Sequence, residues 1–174
     1  MGRNETTMAT KYTSPAEDAA TIRAALKKIY KITSRQVSVK THVYSMGSSL
    51  YINIHDHRID IKEVKNIADG KESIGYDEAT GEILSGGNRF VGVKYSDKAA
   101  ESFLADNQEM VARIMMNQPE KNTTSWRKDE SGYGLSYSFN GHMVLNDENG
   151  KMHYVSENQE RQALSIAAAI LGMR

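Results

Sequence analysis

Residues 37–54 read VSVKTHVYSMGSSLYINI, two alternating runs on either side of a small polar break. Val37, Val39, Thr41 and Val43 alternate with Ser38, Lys40, His42 and Tyr44; after the break, Leu50, Ile52 and Ile54 alternate with Tyr51, Asn53 and His55. A period of two sends successive side chains to opposite faces, so each run is a half-buried strand and the pair is a β-hairpin. With Ser45-Met46-Gly47-Ser48 as the loop and Gly47 as its turn glycine, Val43 faces Leu50, Thr41 faces Ile52 and Val39 faces Ile54. Both apolar rows then fall on one side, which predicts Leu50, Ile52 and Ile54 as core.

Helices flank this hairpin. Ser14-Pro15-Ala16-Glu17 combines an N-cap, a proline at the first helical position and a capping-box glutamate. Ala19, Ile22, Ala25, Leu26 and Ile29 follow at helical spacing, so a helix with one buried face runs to about Tyr30. Asp60 and Glu63 mark a second start, with Ile61, Val64 and Ile67 as its stripe and Asp69-Gly70 as its stop. YDEATGEIL reads as an exposed turn between two short extended pieces, and SGGNR as the joint between halves. Phe90 to Tyr95 reads as a strand; Ser96 then caps one helix from Ala100 through Met115, stopping before Pro119. Leu135 and Tyr137 lie in another alternating run, HMVLNDENGKMHYV is a hairpin around Asn149-Gly150, and Ser156 to Gln159 is a third capping box opening a last helix. The fold class is α+β: a helix–β-hairpin–helix N-terminal unit, then a strand–helix–antiparallel hairpins–helix C-terminal unit. The expected division is a disordered tail over 1–13 and domains over 14–85 and 88–174.

Lys+Arg and Asp+Glu number 22 each, so no global field favours a polyanion, and no acidic excess mimics one. There is no cysteine, which excludes disulfides, thiolate zinc sites and cysteine nucleophiles and suits a reducing cytoplasm. No apolar run is long enough for a membrane span, so the expected location is the cytoplasm. Phosphate-loop, dinucleotide and serine-hydrolase signatures are missing. A loose arrangement of an arginine, the strand at Ser136 to Ser138 and Glu157 or Glu160 is the residual enzymatic reading.

Two groups of residues stand out as binding candidates. Arg23, Lys27 and Lys31 recur every four residues on the first helix, with Lys28, Arg35 and Lys40 nearby, a stripe suited to phosphates or an acidic surface. On the hairpin's outer face stand His42, Tyr44, Tyr51, Asn53 and His55, with His57 just beyond. His55-Asp56-His57 invites a metal reading. The register keeps His42 about four residues along from His55, too far for one ion, and His57 falls in a turn. These are read as polar contacts for a partner, with no metal and no cofactor. Nine tyrosines against three phenylalanines also suit a protein interface.

IRAALKKIYK, QVSVKTHVYSMGSSLYINI and IDIKEVKNIADG together resemble the large polyvalent protein-associated domains found in proteins of phages and conjugative elements. The resemblance covers about residues 16–85, and YSMGSSLYINI is its best local match. Where such domains tend to carry Trp, Asp, Gly and Pro after the second strand, this chain has HDHRID. The resemblance implies a mobile-element protein made in a bacterial host and acting against host defence or on host machinery, often by binding; with no catalytic signature in the chain, the leading expectation is a non-enzymatic inhibitor of a defence complex, of the CRISPR or restriction type, acting by protein–protein contact. The alternatives are a nucleic-acid-binding accessory protein using the basic first helix, and then a metal- or nucleotide-dependent enzyme. The exposed hairpin edge and Ala167, Ala168 and Ala169 suit a homodimer.

Overall fold

Ser14 starts the first helix as its residues predict. Its hydroxyl accepts from the Glu17 N–H at 3.2 Å, while the Glu17 carboxylate accepts from the Ser14 N–H at 2.7 Å. In the computed structural model, which describes residues 13–84, 86–117, 127–128, 132–138, 140–156 and 158–172, this helix is α1, Pro15–Tyr30. Ala19, Ile22 and Leu26 are buried, but Ile29 is 61% exposed, against expectation. Lys31 adopts a left-handed φ of 59° and turns the chain back, so that Ile32 rather than Ile29 closes the core at that end.

Strands β1 (Val37–Tyr44) and β2 (Gly47–Ile54) form the predicted antiparallel hairpin. Its register differs by two residues: Thr41 pairs with Leu50, Val39 with Ile52 and Val37 with Ile54, and only Ser45 and Met46 lie between the strands. An even shift preserves every face, so Leu50, Ile52 and Ile54 are fully buried as predicted. Val43 instead overshoots the core and is 70% exposed. Gly47 is not a loop residue but the first of β2. Its φ is 154°, and a Cβ there would sit 2.3 Å from the Asn88 carbonyl oxygen.

That close neighbour belongs to β3 (Asn88–Tyr95), which runs parallel to β2 along its full length. The strand expected to open the second unit thus completes a mixed three-stranded sheet of order β1-β2-β3. The crossover contains α2, Ile61–Ala68, whose N-cap Asp60 accepts from the Lys62 N–H at 2.8 Å. Both helices pack on one face, where Leu26, Ile52, Ile54, Val64 and Tyr95 share a core.

The Tyr95 hydroxyl reaches into the turn before α2, donating to the Ile59 carbonyl at 2.7 Å and accepting from the Ile61 N–H at 3.3 Å. Burial pushes this phenol above the ordinary tyrosine range. Tyr95→Phe keeps the ring and strands both backbone groups, so it is expected to cost about 1–2 kcal/mol in urea unfolding with an unchanged m-value.

The second half begins with two helices where one was expected: α3, Asp97–Asp106, and α4, Gln108–Met116. Asn107, at φ −128° and ψ 32°, breaks the helix, and its amide donates to the Phe103 carbonyl at 2.9 Å. Beneath them lies an antiparallel sheet of β5 (Gly134–Tyr137), β6 (Met143–Asn146) and β7 (Met152–Tyr154), with the two-residue β4 (Arg127–Lys128) pairing at its edge. Gly150, φ 79°, makes the predicted β6–β7 turn. Helix α5, Gln159–Ile170, is capped by the Asn158 side chain rather than by Ser156. Phe103, Ile114, Leu135, Leu145 and Ile166 form the second core. Residues 1–12 of the expected tail and Glu157 lie outside the described residues; Thr13 is held by hydrogen bonds to Asp18.

Candidate functional site

With both helices on one face of the first sheet, the opposite face is open at Lys40, His42, Tyr51, Gly92 and Lys94, all exposed, while Ser49 is buried and Phe90 half-buried. Cross-strand rows run Lys40–Tyr51–Gly92, Ser38–Asn53–Lys94 and His42–Ser49–Phe90. Strand alternation therefore places His42, Tyr44, Tyr51 and Asn53 on this face, and His55, one residue past β2, meets Ser38 of the same face. The β3 contribution of Phe90, Gly92 and Lys94 was missed, because a parallel partner 41 positions along carries no local signal. A cleft of about 280 Å³ lies among Tyr51, Asn53, Gly92, Val93 and Lys94. Tyr51 is 49% exposed beside it.

The histidines occupy three different environments. His42 lies 5.8 Å from the Tyr44 ring, whose hydroxyl is 3.3 Å from the Ser49 hydroxyl. His55 is held at both nitrogens, Nε2 by Ser38 at 2.9 Å and Nδ1 by Ser96 at 2.8 Å. Ser96 precedes α3, and its hydroxyl goes to His55 instead of capping the helix. His57 leaves the face altogether. Its side chain is 9% exposed, with Nδ1 3.2 Å from the Ser102 hydroxyl, Nε2 3.4 Å from the Asp106 carboxylate and its ring edge-on to Phe103. Arg58 joins Asp106 at 2.7 Å. Asp56 accepts from the Gln36 amide at 3.2 Å, which holds its carboxyl below the usual range. The triplet thus ties the first sheet to α3, and no group of three metal-ligating side chains occurs among the described residues.

All six residues of the basic stripe are exposed. Arg23 reaches from α1 to the free edge of β1, donating to the Val39 carbonyl at 2.5 Å. Arg23 and Lys27 border a cleft of about 250 Å³ floored by Leu26, Ile32 and Val37. Of the residual enzymatic arrangement, Ser136 is buried and accepts from the Asn146 amide at 2.8 Å.

Two features were not legible in the sequence. Asp18, on the buried side of α1, is 1% exposed and pairs with Arg89 at the start of β3 and with Lys71 at 3.0 Å. The second is an apolar end of the first sheet. Val43, Tyr44 and Met46 are exposed at the hairpin tip, and Tyr76, Ile83 and Leu84 on the 72–87 excursion. These segments meet at Asn88, which pairs with Gly47, donates to the Leu84 carbonyl at 2.5 Å and accepts from the Gly75 N–H at 2.9 Å.

Comparison with family models, curated proteins and solved structures finds no match for the chain. No helix among the described residues is long and apolar enough to cross a membrane.

Proposed function

We propose that the protein is a non-enzymatic inhibitor from a phage or other mobile element, which binds a host defence complex of the CRISPR or restriction type. The observation that carries the binding reading is the apolar end of the first sheet. Six large apolar side chains are exposed there, on segments joined through Asn88. Surfaces of single soluble domains seldom gather apolar side chains in this way unless a partner covers them. Tyr44 and Tyr76 add area and hydroxyls together, a mixture common at protein interfaces. The mobile-element origin and the defence target rest on the resemblance of residues 16–85 to phage-associated domains.

The experiment is affinity capture of the full chain from an infected or conjugating host. A defence-complex subunit should be recovered with the native chain. Met46→Lys combined with Ile83→Lys should recover at least about tenfold less, as loss of interface anchors does. Both positions are more than half exposed, at 55% and 52%, so the fold should tolerate the change. Captures without a defence component, or equal recovery by the variant, would refute the proposal.

A further inference from the structure

The open face of the first sheet differs from the apolar end in chemistry. Its charged side chains are Lys40 and Lys94, its rings are Tyr44, Tyr51 and Phe90 with the His42 imidazole beside Tyr44, and no Asp or Glu stands at any outward position of the three strands. We propose that this face binds a single strand of nucleic acid, with bases stacked on Tyr51 and its neighbouring rings and phosphates held by the two lysines.

The geometry of the central row supports this occupant. Tyr51 sits on the middle strand with Lys40 directly across on β1 and Gly92 directly across on β3. A Cβ at Gly92 would meet only the Tyr51 ring, at an ordinary 3.8 Å, and no left-handed backbone is present there. Neither packing nor conformation therefore demands this glycine, and glycine weakens a strand interior; it suits a place where a ligand comes close. Asn53 and Lys94 border the cleft beside Tyr51, together with Gly92 and Val93. A base on the Tyr51 ring would have an amide beside it to read an edge and a cation on each flanking strand. Exposed aromatics on a sheet, with cations around them, are how single-stranded bases are held. A duplex keeps its bases stacked inside and has nothing to offer such rings.

The surrounding charges set the path of the backbone. Glu72 lies along the outer edge of β3, next to the Ser73–Arg89 bridge, where its carboxylate accepts from the Val91 N–H at 3.1 Å. Asp56 lies beyond the His55 end, engaged with Gln36 and the Arg58 N–H. The β1 edge is the cationic one: Arg23 is fixed there through Val39, and Lys27 and Lys31 continue along α1. Phosphates leaving the face would thus run over β1 rather than β3.

Fluorescence anisotropy with the full chain, using labelled oligothymidylate and oligouridylate of about twelve nucleotides and the matching duplex, tests the proposal. Single strands should bind more tightly than duplex. Tyr51→Ala should weaken single-strand binding about tenfold, while Tyr51→Trp stays within about threefold, because stacking survives. Lys40→Gln with Lys94→Gln should reduce the slope of log affinity against log salt by roughly 1.4. Thermal melts confirm that each variant folds. The proposal is overturned by no binding at about 50 mM salt, by undiminished binding of Tyr51→Ala, or by equal affinity for duplex, which would assign the effect to the α1 stripe alone. A dimer that Tyr51→Ala separates, without nucleic-acid binding, would assign the face to a second copy and overturn it too. The partner surface is tested separately through Met46 and Ile83, so either proposal can fail while the other stands.

Discussion

Asp18→Ala is expected to lower the free energy of unfolding by about 3–5 kcal/mol, the largest loss of any single substitution considered for this chain. The carboxylate is 1% exposed. It receives the Arg89 guanidinium, the Lys71 ammonium at 3.0 Å and the Thr13 hydroxyl at 2.9 Å. Arg89 also donates to the Thr13 carbonyl at 2.6 Å. One acid thereby joins the start of α1, the turn after α2 and the start of β3. Without it, Arg89 and Lys71 both lose the carboxylate they share, and the desolvation of the buried Arg89 guanidinium is offset less. Lys71, with 28% of its side chain exposed, can rehydrate. Urea unfolding of Asp18→Leu, Arg89→Met and the double variant measures the coupling. The double variant should be more stable than the summed single effects predict by about 1–3 kcal/mol. Strict additivity would show that the two residues do not act as a unit.

Gly47→Ala is the second large effect, a loss of about 2–4 kcal/mol. The added methyl would lie 2.3 Å from the Asn88 carbonyl oxygen and 3.1 Å from its carbon. Both are backbone atoms of the first paired residue of β3, so relief requires parting β2 from β3 where their ladder begins. The φ of 154° adds strain for any side chain. Gly70→Ala provides the control. A Cβ there meets nothing within 4 Å, and its backbone is not left-handed, so stability should change by less than about 1 kcal/mol. Equal melting temperatures for Gly47→Ala and the native chain would disprove the close-approach argument.

The two experiments probe what the sequence shows and what it conceals. Capping at Ser14 and Asp60 is a contact between residues two or three apart, so it is visible in the chain itself. Alternation likewise exposes the faces of β1 and β2, and with them the outward places of Tyr51 and Asn53. Alternation is blind to an even shift, however. The four-residue loop and the observed two-residue turn bury the same row of β2 and differ only in where Val43 falls. His57 was grouped with the outer face because the course of the chain after a strand end has no period to read.

By itself, then, the sequence determined most of the elements, their apolar sides and the starts of α1 and α2, since each depends on neighbours within a turn of helix or a strand pleat. Tertiary structure alone decided that β3 lies parallel beside β2, because its pairing joins residues about 40 positions apart. From that one pairing follow the burial of Asp18 with Arg89, 71 positions away, and the requirement for glycine at 47. The same pairing brings Gly92 and Lys94 beside Tyr51 and leaves the open face without a carboxylate. Charge and shape on a surface are properties of what the fold places side by side.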